Sequence, residues 1–141
     1  MRDIDKAKEL LFGGGLTFAA VRGERVLTDT QRGVQPLLQI LESEGEISGF
    51  SAADKVVGCA AAFLYVLLGV NELYADVISS HAISVLKKHG IKTEYSLEVT
   101  AIINRDKTGF CPMESAVLGI EEPPEALKII KAKLAALKHA Q

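Results

Sequence analysis

Cysteine is scarce: Cys59 and Cys111 are the only two in 141 residues, too few for a disulfide framework and too far apart for a metal-binding Cys-x-x-Cys pair. The expected setting is therefore a reducing one, the cytoplasm. A surplus of either charge is also missing. Sixteen basic and eighteen acidic side chains leave a formal net charge of -2, which argues against a global attraction to nucleic acid or to an anionic membrane surface and leaves room only for local patches. Long apolar runs are absent too: the uncharged stretch from Val56 to Val70 falls short of the roughly 20 apolar residues that cross a bilayer, so no membrane association is expected. The opening MRDIDKAKEL carries mixed charge and no apolar segment, so no secretory signal is expected, and no repeat or low-complexity tract follows. Residues 1–141 thus read as one domain, long enough to bury a core without disulfides or a structural metal.

The most distinctive stretch is Ser51 to Gly69, SAADKVVGCAAAFLYVLLG. After Lys55 no charge appears until Glu72, whereas a helix with one solvent face would carry a charge every three or four residues. The pattern predicts a core helix covered on most of its circumference. Its start is placed at Ser51, whose hydroxyl can accept from the backbone of Asp54 while the Asp54 carboxylate meets the positive end of the helix dipole.

Around it the other elements follow. Residues 3 to 12 read as a short amphipathic helix capped by Asp3 and stopped by Gly13, Gly14 and Gly15; no Gly-Lys-Ser/Thr follows, so the glycine run is a helix stop and not a phosphate cradle. Leu16 to Arg22 and Glu24 to Thr30 form a hairpin turning at Gly23, and Pro36 opens an amphipathic helix that Gly45 stops. Beyond the core helix come a strand, Glu72 to Ile78, a helix, Ser79 to His89, and a strand, Ile91 to Val99; this alternation predicts parallel pairing through a crossover. AIIN, from Ala101, reads as a short edge strand, and RDKTG behind it as a turn. Pro112 and Glu114 suit the start of a helix with Val117 and Leu118 turned inward, and a last helix after Pro123-Pro124 carries Leu127, Ile130, Leu134 and Leu137 on one stripe that packs on the sheet. The architecture expected is α/β, three layers α-β-α around a mixed sheet.

A helix, a hairpin, a buried helix and then strand, helix, strand is the element order of the cytidine-deaminase-like fold, and LYADVISSHAI (Leu73 to Ile83) resembles the deaminase segment in which a strand runs into a helix bearing Pro-Cys-x-x-Cys. On that pattern Ser79 takes the proline place, Ser80 the first cysteine and Ile83 the second, while the deaminase His-x-Glu would fall at Ala52-Ala53-Asp54 or one residue later, where there is no histidine. The chain as a whole, above all SAADKVVGCAAAFLYVLLGV and IINRDKTGFCPMESAVLGI, resembles an uncharacterised bacterial family of deaminase-like domains of unknown function, family 1893. The resemblance implies the fold and no reaction. It also implies no zinc and no other cofactor, since catalytic zinc takes about three His, Cys or carboxylate ligands and serine hydroxyls are poor ones. His81 alone, near a former ligand position, does not rebuild the set, so a zinc-dependent deaminase is excluded and any enzymatic activity is left open.

If the resemblance holds, the starts of the core helix and of the Ser79 helix converge on one edge of the sheet. Asp54, Lys55, Ser79, Ser80 and His81 would then line an anion-friendly hollow suited to a nucleotide or to a ribosyl, ADP-ribose-like ligand, with Arg105, Asp106 and Cys111 contributing from a later loop. Lys55 in a first helical turn would be a reactive amine, and Cys111 ahead of a helix a reactive thiol. Against this stands the plainer alternative that the serines cap helices, Asp54 and Lys55 form a solvated pair, and the domain is a structural or protein-interaction module with a closed pocket. A homodimer fits either.

Overall fold

The structure is a computed structural model that describes residues 1–102 and 111–139. Six helices and five strands alternate along the described residues: α1 (Asp3–Gly13), β1 (Phe18–Arg22), β2 (Arg25–Asp29), α2 (Gln35–Glu44), β3 (Ser51–Val57), α3 (Cys59–Leu68), β4 (Glu72–Ser79), α4 (Ser80–Lys88), β5 (Lys92–Val99), α5 (Pro112–Ala116) and α6 (Pro123–His139). They build a single mixed sheet in the order β2-β1-β3-β4-β5. β1 pairs antiparallel with β2 and with β3, while β3, β4 and β5 run parallel, joined by crossovers through α3 and α4. The α/β, three-layer expectation holds.

One expectation does not. Ser51 to Gly69 is not one helix: Ser51–Val57 is a central strand, Gly58 breaks it, and the helix begins at Cys59. The strand wins because its place between β1 and β4, covered by helices on both faces, requires small side chains. Ala52 packs toward α3 and Ala53 toward α1, both fully buried, and this packing overrides alanine's helix propensity. For Cys59–Leu68 the lack of charge does mark a buried helix. It lies on the sheet and is flanked by α2, α4, α5 and α6, so Cys59 through Tyr65 are all buried.

The layers are unequal. Among the described residues α1 alone covers one sheet face, with Ile4, Ala7 and Leu11 against Val21, Ala53 and Tyr74. On the other face lie α2, α3 and α4, and α6 docks on α3 through Ile130, instead of on the sheet as its apolar stripe suggests. Leu118, expected inward, is exposed, whereas Val117 is buried. Ala101 and Ile102 lie outside any strand, and the remainder of the expected AIIN strand falls outside the described residues. No helix among the described residues is long and apolar enough to cross a membrane.

Candidate active or binding site

Because side chains alternate along a strand, Asp54 points to the α3 face and Lys55 to the α1 face. The Asp54 carboxylate takes a 2.5 Å hydrogen bond from the Tyr65 hydroxyl of α3, and its other oxygen accepts from the Val56 amide at 3.3 Å. Burial pushes the Asp54 carboxyl up from 3.8 to about 7, against the pull of the Tyr65 hydroxyl and of the Val56 and Lys55 amides, all of which favour the charged form. Burial and the adjacent Asp54 charge raise Tyr65 well above the usual phenol range, so it stays the donor. A carboxyl near neutrality can give or take a proton at physiological pH, the condition a general acid or base needs.

Asp54 opens onto a cavity of about 370 Å³. The cavity exists because β1 begins late: Phe18 stands opposite Asp54, so beyond the Lys55 amide, which donates to the Thr17 carbonyl at 3.1 Å, β3 runs on without a β1 partner. The connection from β2 to α2 closes the notch with Gln31, Arg32 and Gly33, followed by Pro36 and Leu37 of α2. That wall is pinned. The Thr17 hydroxyl donates to the Gln31 carbonyl at 2.6 Å, and Asp29 accepts from the amides of Thr30 and Gln31 at 2.7 and 2.8 Å. The result is an apolar floor of Phe18, Pro36 and Leu37 beneath Asp54, Arg32, Lys55 and Gln31.

The residues expected to act together are divided between two places. Asp54 and Lys55 line the cavity, but the Lys55 ammonium lies 5.1 Å from the centre of the Phe12 ring on α1, within cation–π range, and its strand position removes the premise of a first-turn amine. Ser79, Ser80 and His81 stand at the junction of β4 and α4, outside the cavity lining. The Ser79 hydroxyl is buried and caps α4 by accepting from the Ala82 amide at 3.2 Å. Ser80 donates to Glu98 at 2.7 Å, and His81 is exposed. Cys111 precedes α5 half-buried, and Arg105 and Asp106 lie outside the described residues.

The second helix start, at α3, is filled. The Glu114 carboxylate of α5 reaches across to accept from the Cys59 amide at 2.5 Å and the Ala60 amide at 2.9 Å, acting as a cap supplied by a distant segment. A Cβ on residue 58 would collide with that carboxylate, which is why glycine stands there. Cys59 is sealed beneath it, its thiol pushed up to about 12 by burial and then by the Glu114 charge, so it is inert. Zinc does not fit this donor set: the thiol is buried, the carboxylate is already bonded to two amides, and the Ser79 hydroxyl is a cap.

Sequence reasoning missed Tyr65, Arg32, Gln31 and the reach of Glu114. Tyr65 had a signal, being the one hydroxyl in the apolar run from Val56 to Val70, and a buried phenol needs a partner.

Comparison with known proteins gives a consistent picture. A family model described as a domain of unknown function, DUF1893, matches residues 6–134. The fold matches that of a DUF1893 family protein from Thermotoga maritima solved at 2.70 Å, with a TM-score of 0.87 over 93% of this chain and 89% of that one, at 24% identity. A dCMP deaminase from the cyanophage S-TIM5, in apo form, matches weakly, with a TM-score of 0.44 at 15% identity over 66% of this chain and 93% of that one. That second likeness is too slight to carry an argument. No curated protein matches.

Proposed function

Since the chain belongs to the DUF1893 family, a domain of unknown function, membership brings no reaction with it, and we propose from its own geometry that it binds a nucleotide or ribosyl (ADP-ribose-like) compound in the cavity beside Asp54. The observation that carries this is the Asp54–Tyr65 pair opening into a cavity with an apolar floor and Arg32 in its wall. Each part matches a part of such a ligand. Phe18, Pro36 and Leu37 offer apolar surface to a base, Asp54 offers a carboxyl to ribose hydroxyls, and Arg32 offers positive charge to a phosphate, the Lys55 ammonium being held over Phe12. The volume is at the lower end of the few hundred cubic ångströms usual for small-molecule sites, so a mononucleotide or a single ribosyl phosphate group fits better than a long polymer.

The site under this proposal is therefore the notch at the end of β3. The two helix starts are not part of it. Binding is what the arrangement supports; a reaction would need a second acid, base or nucleophile facing Asp54, and none is seen among the described residues lining the cavity.

Thermal-shift and calorimetric screening with nucleotides, nucleosides and ADP-ribose tests this. At least one should bind, with affinity reduced about tenfold or more by Arg32→Ala and by Asp54→Asn, the scale expected for losing a charge-assisted hydrogen bond. No binding by any of them contradicts the proposal, as does binding that ignores both substitutions.

A second reading is favoured by one observation, the Glu114 carboxylate seated on the α3 amides. It closes the hollow to which the deaminase resemblance points, as a structural or protein-interaction module would. That reading predicts a protein partner whose capture is indifferent to Asp54→Asn.

A further inference from the structure

The sheet has two edges, and they are built differently. β2 is short, five residues, and its Arg25 is tied to Glu44 of α2 at 3.1 Å. β5 is eight residues long, its outer side has no strand partner among the described residues, and its Tyr95 and Leu97 are 43% and 55% exposed on one face. An edge strand of this length with exposed apolar side chains is a template for pairing unless something blunts it. No proline or bulge interrupts Lys92–Val99.

We propose that a second copy of this chain adds its own β5 antiparallel to this edge, with Tyr95 on the two-fold axis, joining two five-stranded sheets into one of ten. Charge selects the partner and the register. With Tyr95 opposite Tyr95, Lys92 of each copy stands opposite Glu98 of the other, giving two complementary pairs, while Thr93 meets Leu97 and Glu94 meets Ser96. Sliding the pair by one step in either direction places Glu94 against Glu94, or Glu94 against Glu98 at two positions, and like charges directly opposite are unfavourable. Lys92, Glu94 and Glu98 are all exposed; the Glu98 carboxylate already accepts from the hydroxyls of Ser80 at 2.7 Å and Tyr95 at 3.4 Å and has lone pairs left for a partner's lysine. Within its own chain Glu94 already has Lys8 at 3.7 Å, a pairing that the Tyr95-centred register leaves undisturbed. The interface lies two strands away from β3 and is independent of the ligand proposal.

Sedimentation equilibrium of the full chain at micromolar concentration should give the mass of two chains. Lys92→Glu should reduce it to one, because each complementary pair then becomes two facing carboxylates, and the double exchange Lys92→Glu with Glu98→Lys should restore the dimer. Because Glu98 also accepts from Ser80, Lys92→Glu is the cleaner single change. Register is read by cysteine cross-linking in a Cys111→Ser background. Tyr95→Cys should oxidise to a covalent dimer, opposed residues lying within the Cα separation of about 4.4–6.8 Å that a disulfide spans. Thr93→Cys and Leu97→Cys should each fail alone and cross-link when mixed. A monomeric wild-type protein, a dimer unaffected by Lys92→Glu, or efficient cross-linking of Thr93→Cys alone would overturn the proposal.

Discussion

Asp54 is the residue at which stability and the proposed binding role conflict. Its carboxyl is held at about 7 in the folded protein against 3.8 for the ordinary group, chiefly because burial penalises the charge. The folded state therefore holds a proton that the unfolded chain releases between about pH 4 and pH 7, and in that window stability falls as pH rises. This proton-linked stabilisation is fully present below the lower value and lost above the upper one. At 1.36 kcal/mol per pH unit, the loss is on the order of 2–4 kcal/mol, the lower figure allowing for the partial exposure of Asp54. Asp54→Asn removes the charge but keeps an acceptor for the Tyr65 hydroxyl. In thermal melts it should raise the midpoint by several degrees at about pH 8 and leave it nearly unchanged at about pH 4. An equal effect at both values would mean that the carboxyl is not held near neutrality. A destabilising group kept in a cavity wall is what a binding or proton-transfer role would demand.

At the scale of elements, the junction of β3 and α3 decides most. Ser51-x-x-Asp54 mimics a capping box there, and the two alanines between them favour a helix when isolated, so the strand reads as helix from sequence. What identifies the strand is tertiary: its residues face helices on both sides, a condition visible only once α1 and α3 are in place. Gly58, the true boundary, was visible in the sequence, but its reason was not, since it makes room for a carboxylate from residue 114. The hairpin, α2, β4, α4 and β5 were legible because each is bounded by local signals, such as Gly23, Pro36 and Gly45, that need no distant partner. The candidate site was legible only as far as Asp54 and Lys55, because the Arg32 wall and Tyr65 reach it through long-range packing. Contact between Gly58 and Glu114 can be measured as coupling. Glu114→Ala should cost about 1–2 kcal/mol, the usual value of a lost helix cap, and Gly58→Ala up to the same amount, because the added Cβ displaces the flexible Glu114 carboxylate and forfeits the cap. In the Glu114→Ala background, Gly58→Ala should cost almost nothing, because the obstacle is gone. Additive losses in denaturant unfolding would show that Gly58 is not there for Glu114.

On the scale of the whole molecule, the parallel half of the sheet brings the starts of α3 and α4 to one edge, as the deaminase resemblance implied, yet the protein uses that edge for its own caps. The open cavity is displaced toward the antiparallel half, where β1 falls short of β3. The cavity and the two helix starts are thus separate places, a reason to argue function from the side chains that line a site. The proposed ligand position beside Asp54 is tested most directly by an amide chemical-shift map recorded while titrating a mononucleotide. The account predicts shifts concentrated at Thr17, Gln31 to Gly33 and Asp54 to Val56. Shifts concentrated at Cys59, Ala60 and Ser79 to Ala82, or none at any concentration, would contradict it.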